Sequence, residues 1–308
     1  MIENCEFVQH EGGVRLDAAL FARYPGSTRA FCREACAQGD VLVDGRPAIK
    51  GLKLRGGEKV RVVALAEARD NRVLADAAVR ARCIFEDDAL LAYDKPAGMP
   101  VQPLSRKETG TLMNGVVARH PECAGIGDQP LMAGALHRID ADTSGLVLVA
   151  RTDAAFADLR AQFAEQSVEK TYLALVEGAV AVGGTLENDL VHDPTLPFCR
   201  MIDISRARAK VRAEPLHAVT RFRPAGITSC GNEQRTLLEV TIFTGVTHQI
   251  RAQLALAGMH IVNDRLYGGF AVEGQVGHCL HALAARFRHP VSGDTAEIRT
   301  DYPDWADI

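Results

Sequence analysis

His137-Arg138-Ile139-Asp140-Ala141-Asp142-Thr143-Ser144-Gly145, followed at once by Leu146-Val147-Leu148-Val149, is the stretch on which the reading of this chain turns. A loop of charges and hydroxyls runs through one glycine into an apolar run of strand length. Short apolar runs bounded by turn residues read as buried strands. A charged loop fixed to such a rigid element is where function usually sits. The bland alternative is a solvated turn in which Asp142 or Thr143 bonds its own backbone. Asp140 and Asp142 also suggest the carboxylate pair of a glycoside hydrolase, but a single motif rarely supplies both partners.

Working outward, Ala89 to Tyr93 reads as a strand, Asp153 to Glu165 as a helix, and Lys170-Thr171-Tyr172-Leu173-Ala174-Leu175-Val176 as a further strand. On that strand Tyr172 shares a face with Ala174 and Val176. Its ring stands either over a hollow made by small neighbours, as a platform for a base, or in an ordinary core. Leu237 to Phe243 predicts another strand and His248 to Ala257 a helix, with Thr247 as its N-cap. The segment Thr244-Gly245-Val246-Thr247-His248-Gln249-Ile250-Arg251 then places a cation in the first helical turn, against the helix dipole. Such a residue is either simply exposed or held by a tertiary partner, an Asp or a phosphate. Asn188 to Asn232 is broken by proline and charge and receives no assignment.

Residues 13 to 63 form a module of their own, 64 to 80 a linker, and 81 to 308 the main body. In the module, Val14 to Ala22 predicts a helix with Leu16, Leu20 and Phe21 on one face. Ser27 and Thr28 open a second helix that Gly39 closes. Val41-Leu42-Val43 leads into Asp44-Gly45, a hairpin signal, and Gly56-Gly57 turns into the strand Lys59 to Val63. From Glu11 to Val63 there are ten Lys and Arg against six Asp and Glu, a net of +4 in a chain of net charge −4, so the remainder carries −8. That concentration points to a polyanion-facing module.

The chain has 308 residues, 47% hydrophobic and 24% charged, which fits a globular protein of about two domains. No apolar run approaches the roughly 20 residues of a membrane helix. Met1 to His10 lacks a basic leader, so a cytoplasmic protein is expected. Cys5, Cys83, Cys123, Cys199, Cys230 and Cys279 stand singly, and Cys32 and Cys36 share one helical face, a pattern of reduced structural thiols. His278, His281 and His289 have no metal-ligand spacing, so no metal is expected. Phosphate-cradling and dinucleotide fingerprints are missing too, which argues against a nucleotide cofactor.

In this order, the three segments resemble the RluA-type pseudouridine synthases of rRNA and tRNA. That family's central motif, His-Arg-Leu-Asp, two variable residues, then Thr-Ser/Thr-Gly, stands here as His137 to Asp140 and Thr143 to Gly145. Further matches are Glu86 to Leu91, Lys95 to Val101, Lys170 to Gly178, Thr247 to Arg251, Asn263 to Gly268, Leu280 to Ala282 and His289-Pro290. Residues 13 to 63 are similar to the alpha-L RNA-binding domain often fused ahead of such synthases and also found in a ribosomal protein. Val246 stands where the family usually has Arg, Gln102 near its usual His, and His192 to Ala225 matches poorly.

The resemblance implies an α+β fold, a body built on a mixed, mainly antiparallel sheet behind the small N-terminal domain. It implies action on structured RNA, rRNA or tRNA, an isomerisation without redox change or group transfer that requires no cofactor; the sequence gives no hint of an oligomer, so a monomer is expected. Asp140 corresponds to the catalytic carboxylate, Arg251 to its cationic partner and Tyr172 to the residue that stacks on uracil. Arg138 corresponds to the side chain that fills the gap left by the departing uridine, a step that costs a few kcal/mol of unstacking. His137 and Thr143, with Arg29, Arg33 and Lys53 of the module, are the further expected RNA contacts. Two other readings remain: a non-catalytic RNA-binding protein of the same fold, and a nucleosidase.

Overall fold

Three apolar clusters organise the described chain: one within Met1–Arg72, and within Val73–Ile308 a large one and a small one of Leu190, Met201, Ala218, Ala252 and Tyr267. The computed structural model describes residues 1–196, 200–211, 213–230 and 233–306.

In the first unit, β1 (Ile2–Gln9), α1 (Leu16–Arg23), α2 (Arg29–Gln38), β2 (Val41–Val43), β3 (Arg46–Pro47) and β4 (Glu58–Leu65) follow one another. The Thr28 hydroxyl accepts the Phe31 N–H at 3.1 Å and opens α2. Gly39, at φ 79°, closes it in the left-handed conformation. Between these ends Phe31, Cys32, Ala35 and Cys36 form the buried stripe, packed with Leu16, Ala19 and Leu20 of α1. Asp44 and Gly45 both have positive φ, the geometry of the two-residue hairpin expected there.

The strand β1 has no counterpart in the local pattern. Charged Glu3 and Glu6 and the left-handed Asn4 mask it in the sequence, yet it pairs with β4 from Ile2↔Leu65 to Gln9↔Glu58. It carries Glu6 to 2.7 Å from Lys59 and 4.0 Å from Arg61. The unit as folded holds twelve Lys and Arg against ten Asp and Glu, a net of +2 rather than the +4 of residues 11 to 63. Within 64–80, Leu65 and Ala66 are buried in the first core and Val73 in the second.

The second unit contains β5 (Arg82–Glu86), β6 (Leu90–Lys95), α3 (Leu112–Arg119), β7 (Ser144–Ala150), α4 (Asp153–Ala164), β8 (Glu169–Glu177), β9 (Gly184–His192), β10 (Met201–Asp203), β11 (Leu216–Cys230), β12 (Glu233–Ile242), α5 (Gln249–Leu256), β13 (Leu280–Arg288) and β14 (Thr295–Arg299). Its sheet runs β10-β9-β11-β12-β8-β13-β7-β6-β5, with β14 against β13. Among the described pairings only β13 with β7 is parallel. This is the expected α+β, mainly antiparallel architecture, and the six predicted body elements are present within a few residues of their expected bounds.

The described residues of 188–232, to which the sequence assigns no element, contain the end of β9 and all of β10 and β11. Their faces are largely exposed or half-buried, so no apolar alternation marks them, and β11 is interrupted by an irregularity between Pro224 and Gly226. Thr247 does not cap α5. His248 occupies that position at φ 53° without a side-chain cap. Gln249 substitutes, its Oε1 accepting the Val246 N–H at 3.2 Å and the Thr244 hydroxyl at 2.8 Å. The six described cysteines are free; Cys199 lies outside the described residues, as does the side chain of Cys230.

Gly145 sits at the junction of charged loop and central strand, with φ 107°. A Cβ there would stand 2.2 Å from the Ala282 carbonyl oxygen of the parallel neighbour. Gly178 has a similar φ of 84° but open space around it. Gly145→Ala is expected to cost roughly 2–6 kcal/mol, strain plus overlap, against about 1–2 kcal/mol for Gly178→Ala, strain alone. Urea unfolding of both variants tests this; equal losses would show that the close approach to β13 contributes nothing.

Candidate active site

The loop before β7, the start of β8 and the first turn of α5 meet around a cleft of about 660 Å³. Asp140, Tyr172 and Arg251, far apart in sequence, all line it, as do His137, Arg138 and Thr143.

Arg251 is 7% exposed and is held from two sides. Its Nη1 donates to Asp140 Oδ2 at 2.7 Å, while Nε and Nη2 donate to Asp264 Oδ2 and Oδ1 at 2.7 and 2.9 Å. The guanidinium also lies 5.2 Å from the centre of the Tyr267 ring. Fork-to-fork pairing with Asp264 fixes the plane of the guanidinium, and that plane aims its remaining donor at Asp140. The sequence points to one partner for Arg251. The second, Asp264, is 1% exposed, and in the sequence it stands out only as part of the matching segment Asn263 to Gly268.

Burial opposes ionisation of Asp140. The His248 ring, the Arg251 guanidinium and the direct hydrogen bond from Arg251 outweigh it and hold the carboxyl below its usual value. His248 Nε2 is 3.7 Å from Asp140 Oδ2, and its Nδ1 is 3.2 Å from the Tyr267 hydroxyl. Burial pushes the His248 pKa down, so near neutrality Arg251 is the cation that keeps Asp140 charged. Tyr172 is 8% exposed, and burial together with the Asp140 charge drives its phenol well above the ordinary range. It remains a neutral, flat apolar surface beside an ionised carboxylate.

The Asp140 loop is clamped from below. Lys95, fully buried, donates to the carbonyls of Pro96, Met99 and Ala141 at 2.9, 2.7 and 2.9 Å. Burial lowers its pKa to about 8. The Thr143 N–H bonds the Asp140 carbonyl at 3.1 Å, and its hydroxyl is 2.7 Å from His278 Nε2. At 2% exposure the Thr143 side chain therefore shapes the loop rather than faces solvent. His137 accepts the Leu148 N–H at Nε2, 3.1 Å, and its ring lies 5.3 Å from that of Phe163. Arg138 is exposed on the cleft wall.

Asp142 is exposed and does not line the cleft, so it forms no carboxylate pair with Asp140 there. The three C-terminal histidines do not converge: His278 meets Thr143, His281 meets Ser144 and Thr300, and His289 meets Asp87. Arg29, Arg33 and Lys53 lie in the first unit and are exposed. No helix among the described residues is long and apolar enough to cross a membrane.

The family model for RNA pseudouridylate synthases matches residues 89–256, and that for the S4 domain matches residues 14–60. Ribosomal large subunit pseudouridine synthase D of Xanthomonas campestris pv. campestris is 34% identical over 305 residues, covering 95% of this chain and 86% of that protein. The protein of the same name from Neisseria meningitidis serogroup A is 32% identical over 309 residues, covering 95% and 76%. In fold, the body is similar to the solved structure of human RNA pseudouridylate synthase domain containing 1, with TM-score 0.59, 21% identity, and 73% and 84% of the two chains covered. The chain therefore belongs to the RNA pseudouridine synthase family, as an RluA-type enzyme that carries an S4 domain ahead of its synthase body.

Proposed function

We propose that this protein converts uridine to pseudouridine in ribosomal RNA, with Asp140 as the carboxylate that acts on the sugar. One observation carries the reading: Asp140 is held ionised by Arg251 at 2.7 Å in a cleft that Tyr172 also lines. The ribosomal target is supported by the names of the relatives and by the S4 domain.

The reaction breaks the bond from ribose C1′ to uracil N1 and forms one from C1′ to C5. The proton on C5 leaves and N1 gains one, so atoms and electrons balance without an external reagent. An aligned carboxylate beside the sugar is the group this chemistry requires. Tyr172 stacks on the uracil, and Arg138, exposed at the rim, takes the place of the base in its stack. The S4 domain holds the RNA through Arg29, Arg33 and Lys53, and the protein works as a cytoplasmic monomer. Mapping pseudouridine in total rRNA and tRNA, with and without the protein, tests the reading. An unchanged rRNA map would overturn it, and a change in tRNA alone would move the target.

Asp140→Asn is expected to lower turnover by about 10²–10⁴-fold while RNA affinity stays near that of the wild type. Product formation and binding are measured side by side, and near-normal turnover would remove Asp140 from the mechanism.

The pH dependence follows from the depressed Asp140 pKa. A carboxylate whose folded pKa lies below its unfolded one, about 3.9, stabilises the fold above that value and loses this contribution as pH falls through the folded pKa. The wild-type acid limb of kcat/KM from this group therefore lies below about pH 4. Arg251→Met removes one of the two cations beside Asp140, together with its hydrogen bond, and leaves the burial and His248, so the acid limb should move upward. An unmoved limb would show that Arg251 does not hold Asp140 ionised.

Replacing Arg29, Arg33 and Lys53 together by Gln should weaken RNA binding. It should also reduce the log–log salt slope by about 0.7–0.9 for each phosphate that is no longer neutralised. A slope equal to that of the wild type would make these side chains a solvated surface only.

A further inference from the structure

Lys170 stands two residues before Tyr172 on β8, on the same face, and lines the same cleft. Its side chain belongs to a residue that is 7% exposed. The ammonium donates to the Thr244 carbonyl at 2.7 Å and lies 5.5 Å from the centre of the Phe163 ring. No carboxylate among the described residues pairs with it. A lysine has three N–H donors, and a buried cation is ordinarily matched by a counter-charge.

The surroundings repeat the imbalance. Arg138 and Arg160 line the cleft as well, and neither has a carboxylate partner among the described residues; Arg160 donates only to the Leu136 carbonyl, at 3.1 Å. Burial, followed by the charges of Lys170 and Arg160, pushes His137 down to about 3, so that ring adds no charge of its own. Burial also lowers Lys170 to about 8, which still leaves it largely protonated at neutral pH. At the other end of the cleft the charges are matched, with Arg251 between Asp140 and Asp264. Val246, on the cleft wall, contributes no charge.

We propose that Lys170, in a cleft that Arg160 also lines, is a phosphate anchor for the substrate, taking the phosphodiester next to the uridine that enters the cleft. This rests on the RNA reading above. The anchor would fix the backbone on one side of the target while Asp140 faces the sugar, so the cleft accepts a nucleotide within a chain in preference to a free nucleoside.

Two measurements test it on the full-length protein. The first is independent of turnover. A fluorescent oligouridine and its counterpart with one central neutral methylphosphonate linkage are compared for binding to the wild type, Lys170→Met and Lys170→Arg. A charge-assisted contact of ordinary strength predicts a loss of roughly ten- to a hundredfold for Lys170→Met on the charged RNA. The neutral RNA should show little further loss, and Lys170→Arg should retain most of the affinity. If Lys170→Met weakens both RNAs equally, or neither, the anchor does not exist. The wild type serves as a check free of folding defects: failure to prefer the charged linkage also overturns the proposal. The second measurement is steady-state kinetics on a stem-loop bearing a mapped uridine. Lys170→Met should raise KM and spare kcat. A fall in kcat that persists on a stem-loop with neutral linkages around that uridine would assign Lys170 to the uracil ring instead. Absence of pseudouridine with the wild type would defeat the function proposed above while leaving the binding comparison interpretable.

Discussion

The guanidinium of Arg251, shared between Asp140 and Asp264, is the interaction on which the cleft depends. Three hydrogen bonds of 2.7, 2.7 and 2.9 Å join a helix, a loop ahead of the central strand and a turn before β13. Removing one partner of a buried pair is expensive because the other charge is left without compensation. Here the arginine compensates two carboxylates in different ways. Asp264 is fully buried and engaged through both oxygens, which orients the fork. Asp140 is engaged through one, with a quarter of its side chain reachable from the cleft. The geometry thus separates a structural carboxylate from one left available for chemistry.

The scaffold around that pairing is built from close approaches that allow little substitution. At Gly145 the Asp140 loop enters the sheet beside Ala282, leaving no room for a side chain. Lys95 ties the carbonyl of Ala141, the residue after Asp140, to the carbonyls of Pro96 and Met99. Gln249 and Gln253 do the same for α5: they reach Thr244, Val246, Val219, Thr220 and Ala218 from the helix that carries Arg251. Buried polar networks of this kind hold a unique arrangement only when their members are satisfied. Those partners hold the loop and the helix in place about the cleft.

Charge is distributed in two patterns that serve different ends. In the first unit the excess is small, since β1 brings acids against the basic strand β4. In the cleft, Arg138, Arg160 and Lys170 form a local excess inside a body of net −6 over residues 73–308. Long-range attraction of RNA by the whole protein is therefore weak, and the local cations of the cleft, of which Lys170 is buried and Arg138 and Arg160 are exposed, carry more weight than the formal total.

Much of this protein was legible in the sequence. Patterning located the strands at β6, β7, β8 and β12 because their apolar runs are buried, and capping chemistry located α2, where Thr28 and Gly39 have unambiguous roles. The motif residues Asp140, Tyr172 and Arg251 were singled out by type and order, and they do meet around one cleft. Elements with weak alternation escaped, β1 and the β9–β11 region among them, since partial exposure leaves no periodic signal. Thr247 was misplaced because side-chain capping is a local rule, and Gln249, bonded across to β11, displaced it. Sequence determined which residue types were available and which local elements they favoured. Tertiary structure alone decided that Asp264 would hold Arg251, that Thr143 would turn inward to His278, and that Lys170 would be buried without a carboxylate partner among the described residues. Each of those depends on a contact between residues at least 13 positions apart, and the pairing of such segments is set by sheet register and burial rather than by any local pattern.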